Sequence, residues 1–135
     1  MKLRSMSFSG AALLALGAIV AAPTAAHASA GGCAVGAGVG TCIEINGSGF
    51  HVNWMRASTD NKSSNVLDLQ TCIHGPNGKT VVCTAFANIE PGRSTAFANA
   101  PGNRNYPGGS YCARTWLATS SGHQLINEHC ETIHG

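Results

Sequence analysis

From residue 39 onward the apolar positions of this chain recur every second residue, and turn-forming residues interrupt them at intervals of roughly ten to fifteen positions. Ile43 and Ile45 alternate with Cys42 and Glu44 over residues 39–46. After Asn46-Gly47-Ser48-Gly49, Phe50, Val52 and Trp54 alternate with His51, Asn53 and Met55. This is the pattern of strands buried on one face, with Phe50, Val52 and Trp54 expected inside. Residues 60–65 are a polar loop. Leu67, Leu69, Thr71 and Ile73 then alternate with Asp68, Gln70 and Cys72, and residues 79–87 pair back on them. Pro91-Gly92 makes a turn before a strand over 93–99. Residues 100–109 form a long irregular loop with two Pro-Gly steps, and strands over 110–119 and 123–133 follow. A helical alternative exists only over 66–70, too short to compete with the strand reading. About seven short strands in about a hundred residues predict an all-β fold, an antiparallel β-sandwich of immunoglobulin-like type.

Two turns also set cysteine pairings. Asn-Gly suits a two-residue hairpin loop because both of its central positions need positive φ. With Asn77-Gly78 as that loop, Pro76 and Lys79 close it, and counting outward brings Cys72 opposite Cys83. That count puts the cysteines at a hydrogen-bonded pair, where side chains are farther apart. A four-residue loop over Gly75-Pro76-Asn77-Gly78 would instead leave them diagonal. Ser120-Ser121-Gly122 suits a three-residue loop with Gly at the left-handed position. It sets Cys112 opposite Cys130, Arg114 opposite Glu128 and Trp116 opposite Ile126, the last two being favourable cross-strand pairs. Cys33 and Cys42 remain, joined by the Gly-rich stretch 34–41. The spacing of the six cysteines lacks the close pairs of a zinc site, and an even count in an exported chain reads as disulfides. Each closure contributes roughly 2.5–3 kcal/mol in the chain-entropy account.

Export itself is read from the N-terminus. Lys2 and Arg4 precede an apolar run over residues 11–22, Pro23 ends it, and small residues follow in A-x-A spacing at Ala26-His27-Ala28 and Ala28-Ser29-Ala30. Residues 1–30 are thus expected to be a signal peptide, and 31–135 a secreted domain. The apolar run is too short to cross about 30 Å of hydrocarbon, so no membrane association is expected after cleavage. Only 10% of residues are charged. With Lys2 and Arg4 set aside, six cations balance six acids, which leaves no electrostatic footprint for nucleic acid.

Candidate chemistry is sparse. No nucleophile motif occurs, and no cofactor or metal is expected. His123, His129 and His134 match no ligand spacing; His123 and His129 would share a strand face. A small hydrolase could be built from Arg114, Glu128, Glu131 and His129, but alternation puts His129 on the face opposite Arg114 and Glu128. The loop before the sixth strand is the candidate binding surface. It presents Arg104, Asn105 and Tyr106 between Pro-Gly steps, next to a disulfide-anchored strand, and Arg and Tyr are frequent interface hot spots. These residues point to a monomeric, non-catalytic binding module with an extracellular or cell-surface protein partner. The alternative is a secreted protease inhibitor, whose contact would run through the same three residues; a small hydrolase comes third.

Cys112-Ala113-Arg114 followed by Trp116 resembles the F strand of an antibody variable domain, an architectural likeness. The set Gly-Thr-Cys-Ile (40–43), Gly-Ser-Gly-Phe-His-Val (47–52), Gly-Pro-Asn-Gly (75–78), Pro-Gly-Gly-Ser-Tyr-Cys-Ala-Arg-Thr-Trp (107–116) and Cys130 resembles small secreted six-cysteine proteins of actinobacteria. That resemblance implies export and a disulfide-stapled domain, and carries no activity, substrate or site residue.

Overall fold

The computed structural model describes residues 29–135. The expected signal peptide, apart from its last two positions, lies outside the described residues. Ten strands form two antiparallel sheets that pack face to face, the expected sandwich. The first sheet contains β1 (Ala30–Gly36), β2 (Val39–Ser48), β3 (His51–Asn61) and β7 (Ala98–Ala100) in that order, with β8 (Arg104–Asn105) also on β3. The second runs β10 (Gly122–Ile133), β9 (Gly109–Thr119), β4 (Leu67–His74) and β5 (Thr80–Cys83), with β6 (Ala87–Ile89) also on β4. The chain changes sheets between β3 and β4, returns at β7, and crosses again to β9, which inserts between β4 and β10. That connectivity is immunoglobulin-like, with β9 at the place of the F strand.

All three cysteine pairs join neighbouring strands of one sheet: Cys33–Cys42, Cys72–Cys83 and Cys112–Cys130. Their Cα atoms are 4.1, 4.0 and 4.0 Å apart, the close spacing of non-hydrogen-bonded pairs. The turns that produce this differ from the expected ones. Gly75 N donates to Lys79 O, so the loop is Pro76-Asn77-Gly78 and closes on Gly75 and Lys79 rather than Pro76 and Lys79. Val81 is then skipped between His74↔Thr80 and Ile73↔Val82. The extra residue restores the Cys72↔Cys83 register and moves it to a non-hydrogen-bonded site. In the last hairpin Thr119 pairs with Gly122, so the loop is Ser120-Ser121. Trp116 consequently faces Leu125, not Ile126; the irregularity at Ile126 returns the ladder to Glu128↔Arg114 and Cys130↔Cys112.

Residues 34–41, expected as a flexible stretch, turn tightly at Ala37 (φ 50°) and Gly38 (φ 74°) and join β2 to the ordered strand β1. Its glycines suit a crowded site, since a Cβ at Gly32 would lie 2.7 Å from His129 Nε2. In β3 a bulge at Asn53 shifts the pairing from Gly47↔Val52 to Asn46↔Trp54. Val52, Met55 and Ala57 therefore point inward, while Phe50 and Trp54 are exposed, contrary to the simple alternation. The strand expected over 93–99 is reduced to a bridge at Ser94 and the short β7. Residues 79–87 pair back only through Cys83, and β6 then takes over the same edge of β4.

Inside the sandwich, an apolar cluster built on Ile43, Val52, Met55, Ile73, Tyr111 and Ile133 fills one end, and Val39, Leu69 and Ile89 form a smaller one at the other. Between them each central strand places a threonine. Thr41, Thr59, Thr71 and Thr115 are fully buried. Thr115 Oγ1 is 2.6 Å from both Thr41 and Thr59 Oγ1, Thr59 is 2.7 Å from Thr71, and Thr71 is 3.0 Å from Thr95. Asn127 Nδ2, a pure donor, bonds Thr41 Oγ1 at 2.9 Å. Thr41, Thr115, Thr59 and Thr71 each have an acceptor when protons run Asn127→Thr41→Thr115→Thr59→Thr71→Thr95. The disulfides lie within sheets; hydroxyl bonds across the interior join the two sheets at their centre.

Candidate functional site

The chain from Pro101 to Pro107 is not a free loop. β8 pairs with His51 and Val52, Asn103 N donates to Asn53 O (3.0 Å), and Tyr106 N donates to Phe50 O (2.9 Å). Gly102 makes this approach possible, because a Cβ there would sit 2.4 Å from Asn53 O. Proline at both ends and these backbone bonds hold residues 104 and 105 extended.

The three expected residues have three different surroundings. Arg104 is exposed. Asn105 is also exposed, and its Oδ1 is 3.2 Å from His51 Nδ1. Tyr106 is buried, only 9% exposed, and belongs to the main apolar cluster. It was expected on the surface, where its removal would not disturb stability; the fold uses it instead as a core plug. Its hydroxyl donates to Pro101 O (2.6 Å), and Tyr111, 1% exposed, donates to Pro107 O (2.8 Å). The second contact resembles the tyrosine corner of immunoglobulin-like domains. The rings meet edge to face at 5.7 Å and 89°. Burial raises the Tyr106 pKa while the neighbouring Arg104 cation pulls it back; burial, then the Tyr106 neighbour, raises that of Tyr111.

Beside these rings opens a cleft of about 470 Å³. One wall is Pro101, Arg104, Tyr106 and Pro107. The other is the β4–β5 turn with Lys79, Thr80 and Val81, and Tyr111 belongs to its lining as well. Asn105 does not line it. The turn is held by its own contacts: His74 Nδ1 donates to Gly78 O (3.2 Å), and a Cβ at Gly75 would meet the Tyr111 ring at 3.1 Å. Pairing of His74 with Cys112 places this turn beside the start of β9, at the end of the sandwich away from the Ser120-Ser121 hairpin. The alternating pattern identified both segments, but their adjacency arises from β9 inserting beside β4, and so Lys79, Thr80 and Val81 carried no sequence signal as site residues.

Elsewhere three ion pairs form among the described residues. Arg56 pairs with Glu44 (2.7 Å) and stacks on Phe97 (4.3 Å) and Trp54 (5.0 Å). Arg114 pairs with Glu128 on the outer face of the second sheet, whereas His129 bonds Glu131 (2.9 Å) on the inner face, against Gly32. The acid, base and arginine that a hydrolase would converge on one substrate are therefore separated by a sheet. The irregularity at Ile126 also parts His123 from His129, which were expected on one face; His123 packs on Trp116 at 5.1 Å outside. Cys112, Glu128 and Cys130 bring three donor atoms together, but both sulfurs are committed to the disulfide. No family model matches this chain, and neither a curated protein nor a solved structure matches it.

Proposed function

We propose that the chain is a secreted, monomeric binding module that docks an extracellular or cell-surface protein in the cleft between the β4–β5 turn and the Pro101–Pro107 segment. The carrying observation is the rigidity of that cleft. Both walls are tied down by backbone bonds, by prolines and by a buried tyrosine pair, so little ordering entropy remains to be lost on binding. Three disulfides in so small a domain are consistent with an oxidising, extracellular environment, and the apolar run and A-x-A sites of residues 1–30 support cleavage and export. The test is photo-cross-linking in medium from the producing organism. A photoreactive phenylalanine analogue replaces Thr80, at the cleft, or Ser121, at the opposite end. Adducts from position 80 and not 121 are expected; adducts from 121 alone would overturn the reading.

One observation favours the inhibitor alternative. Arg104 is exposed on a backbone held extended, the form a protease accepts in its substrate groove. Titration against trypsin-like and subtilisin-like proteases decides it: stoichiometric inhibition lost in Arg104→Ala would establish the inhibitor in place of the plain module.

A further inference from the structure

We infer that the occupant of this cleft is an acidic, extended peptide segment of the partner, an inference that rests on the docking reading above. The first ground is charge. All six carboxylates of the sequence lie among the described residues, and none lines the cleft. Two of the six described cations, Lys79 and Arg104, do line it, and neither has a carboxylate within ion-pair distance. Arg56 and Arg114 are each neutralised by a glutamate, whereas Lys62 and Arg93, also outside any ion pair, do not line this cleft. A domain with balanced charge thus concentrates two unpaired cations at the mouth of one cleft, where an anion is the complementary group.

The second ground is the shape of the wall. β5 is the outermost strand of its sheet, and among the described residues no backbone partner is recorded along its outer side. The outer side of β5 therefore offers backbone groups that no other strand uses, and Thr80 and Val81 bring that edge to the cleft, as in recognition by strand addition. Pro76, Pro101 and Pro107 supply apolar walls without polar groups of their own beyond a carbonyl. An extended chain can pair along β5 while a Glu or Asp side chain reaches Lys79 and Arg104.

The test uses 15N-labelled native protein and pools of ten-residue peptides. Eight positions are randomised among Ala, Val, Leu, Tyr and Pro, and two carry Glu, Gln or Lys. Amide shifts should move for Gly75, residues 77–81 and Arg104 with the Glu pool. The Gln pool should bind about three- to tenfold more weakly and the Lys pool weaker still, the range for partly exposed charge-assisted contacts. Lys79→Gln and Arg104→Gln should each weaken Glu-pool binding by a similar factor and together by about tenfold or more, with melting curves unchanged. Raising the salt should weaken it too. Equal binding of the Glu and Gln pools would overturn the inference. So would citrate reproducing the shifts at equal concentration, or a sulfated oligosaccharide moving these amides where the Glu pool does not. Cross-linking from position 80 with equal Glu and Gln binding would leave the docking reading standing and remove only the acidic ligand.

Discussion

Thr115→Val probes how the sheets are joined. The substitution keeps the shape of the side chain and exchanges a hydroxyl for a methyl in a fully buried position. On hydrophobicity alone it should stabilise by about 0.8 kcal/mol, one buried methyl-sized group. The hydroxyl, however, contacts both Thr41 and Thr59 at 2.6 Å. Thr41 already accepts from Asn127, so its own proton loses its acceptor, and Thr59 loses its donor. Leaving a buried polar group unpaired costs about 1–3 kcal/mol. With both neighbours affected and the apolar gain subtracted, the expected net loss is about 2 kcal/mol. At about 4–6 °C per kcal/mol this is a fall of about 8–12 °C in Tm. Thr115→Ser keeps both bonds and removes one methyl, and should cost about 1 kcal/mol, the lower part of the range for buried methyl deletions. Converting Thr41, Thr59, Thr71 and Thr115 together to Val removes donors with their acceptors, and should cost far less than the four single changes added. Calorimetric melting of the oxidised protein reads all of these. A Thr115→Val protein as stable as wild type, or more stable than Thr115→Ser, would refute a hydroxyl-linked interior.

Peptide mapping of the native protein should find Cys33–Cys42, Cys72–Cys83 and Cys112–Cys130 and no alkylatable thiol; a peptide linking Cys112 to Cys72 or Cys83 would overturn the registers. Tyr106→Ala should cost about 3 kcal/mol in chemical denaturation, as large-to-small core changes do, whereas exposed Arg104→Ala should stay within about 0.5 kcal/mol; comparable effects would place Tyr106 at the surface. Stability should also decline in alkali. Burial raises both tyrosine pKa values above the unfolded value of about 10, so the neutral phenols contribute fully below that pH and the contribution is lost as pH rises through the folded values. The reason is direct: a phenolate cannot donate to Pro101 O or Pro107 O. Denaturation midpoints that hold steady from pH 9 to well above 10 would contradict it.

The strand pattern carried the class of fold because period-two alternation is local, and the two hairpin cysteine pairs were legible because the skipped residues at Val81 and Ile126 offset the change of turn. What it missed was set by distant parts of the chain. The skipped residues at Asn53, Val81 and Ile126 each exchange the faces of everything beyond them, and no local signal marks them. This is why Trp54 lies outside and why Trp116 meets Leu125, whereas Phe50 is exposed because it belongs to the turn before β3 begins. Thr41, Thr59, Thr71 and Thr115 read as ordinary strand formers; only the stacking of β2, β3, β4 and β9 turns them into one row. The stretch 34–41 looked flexible because Asn127, which bonds Ala34 O and crowds Gly36, is about ninety residues away. At the site, Arg104 was legible from its proline-bounded segment. The burial of Tyr106 depends on Tyr111 and the inner faces of both sheets, and the second wall of the cleft depends on sheet order.

The docking account is tested most directly by cross-linking yield from position 80 in two backgrounds, native and Lys79→Gln/Arg104→Gln, at matched Tm. The account predicts a partner adduct in the native background whose yield falls about tenfold in the double variant, with no adduct from position 121 in either. An adduct formed equally from both ends of the sandwich would contradict it, and an undiminished yield in the double variant would leave the docking reading standing and remove the acidic ligand.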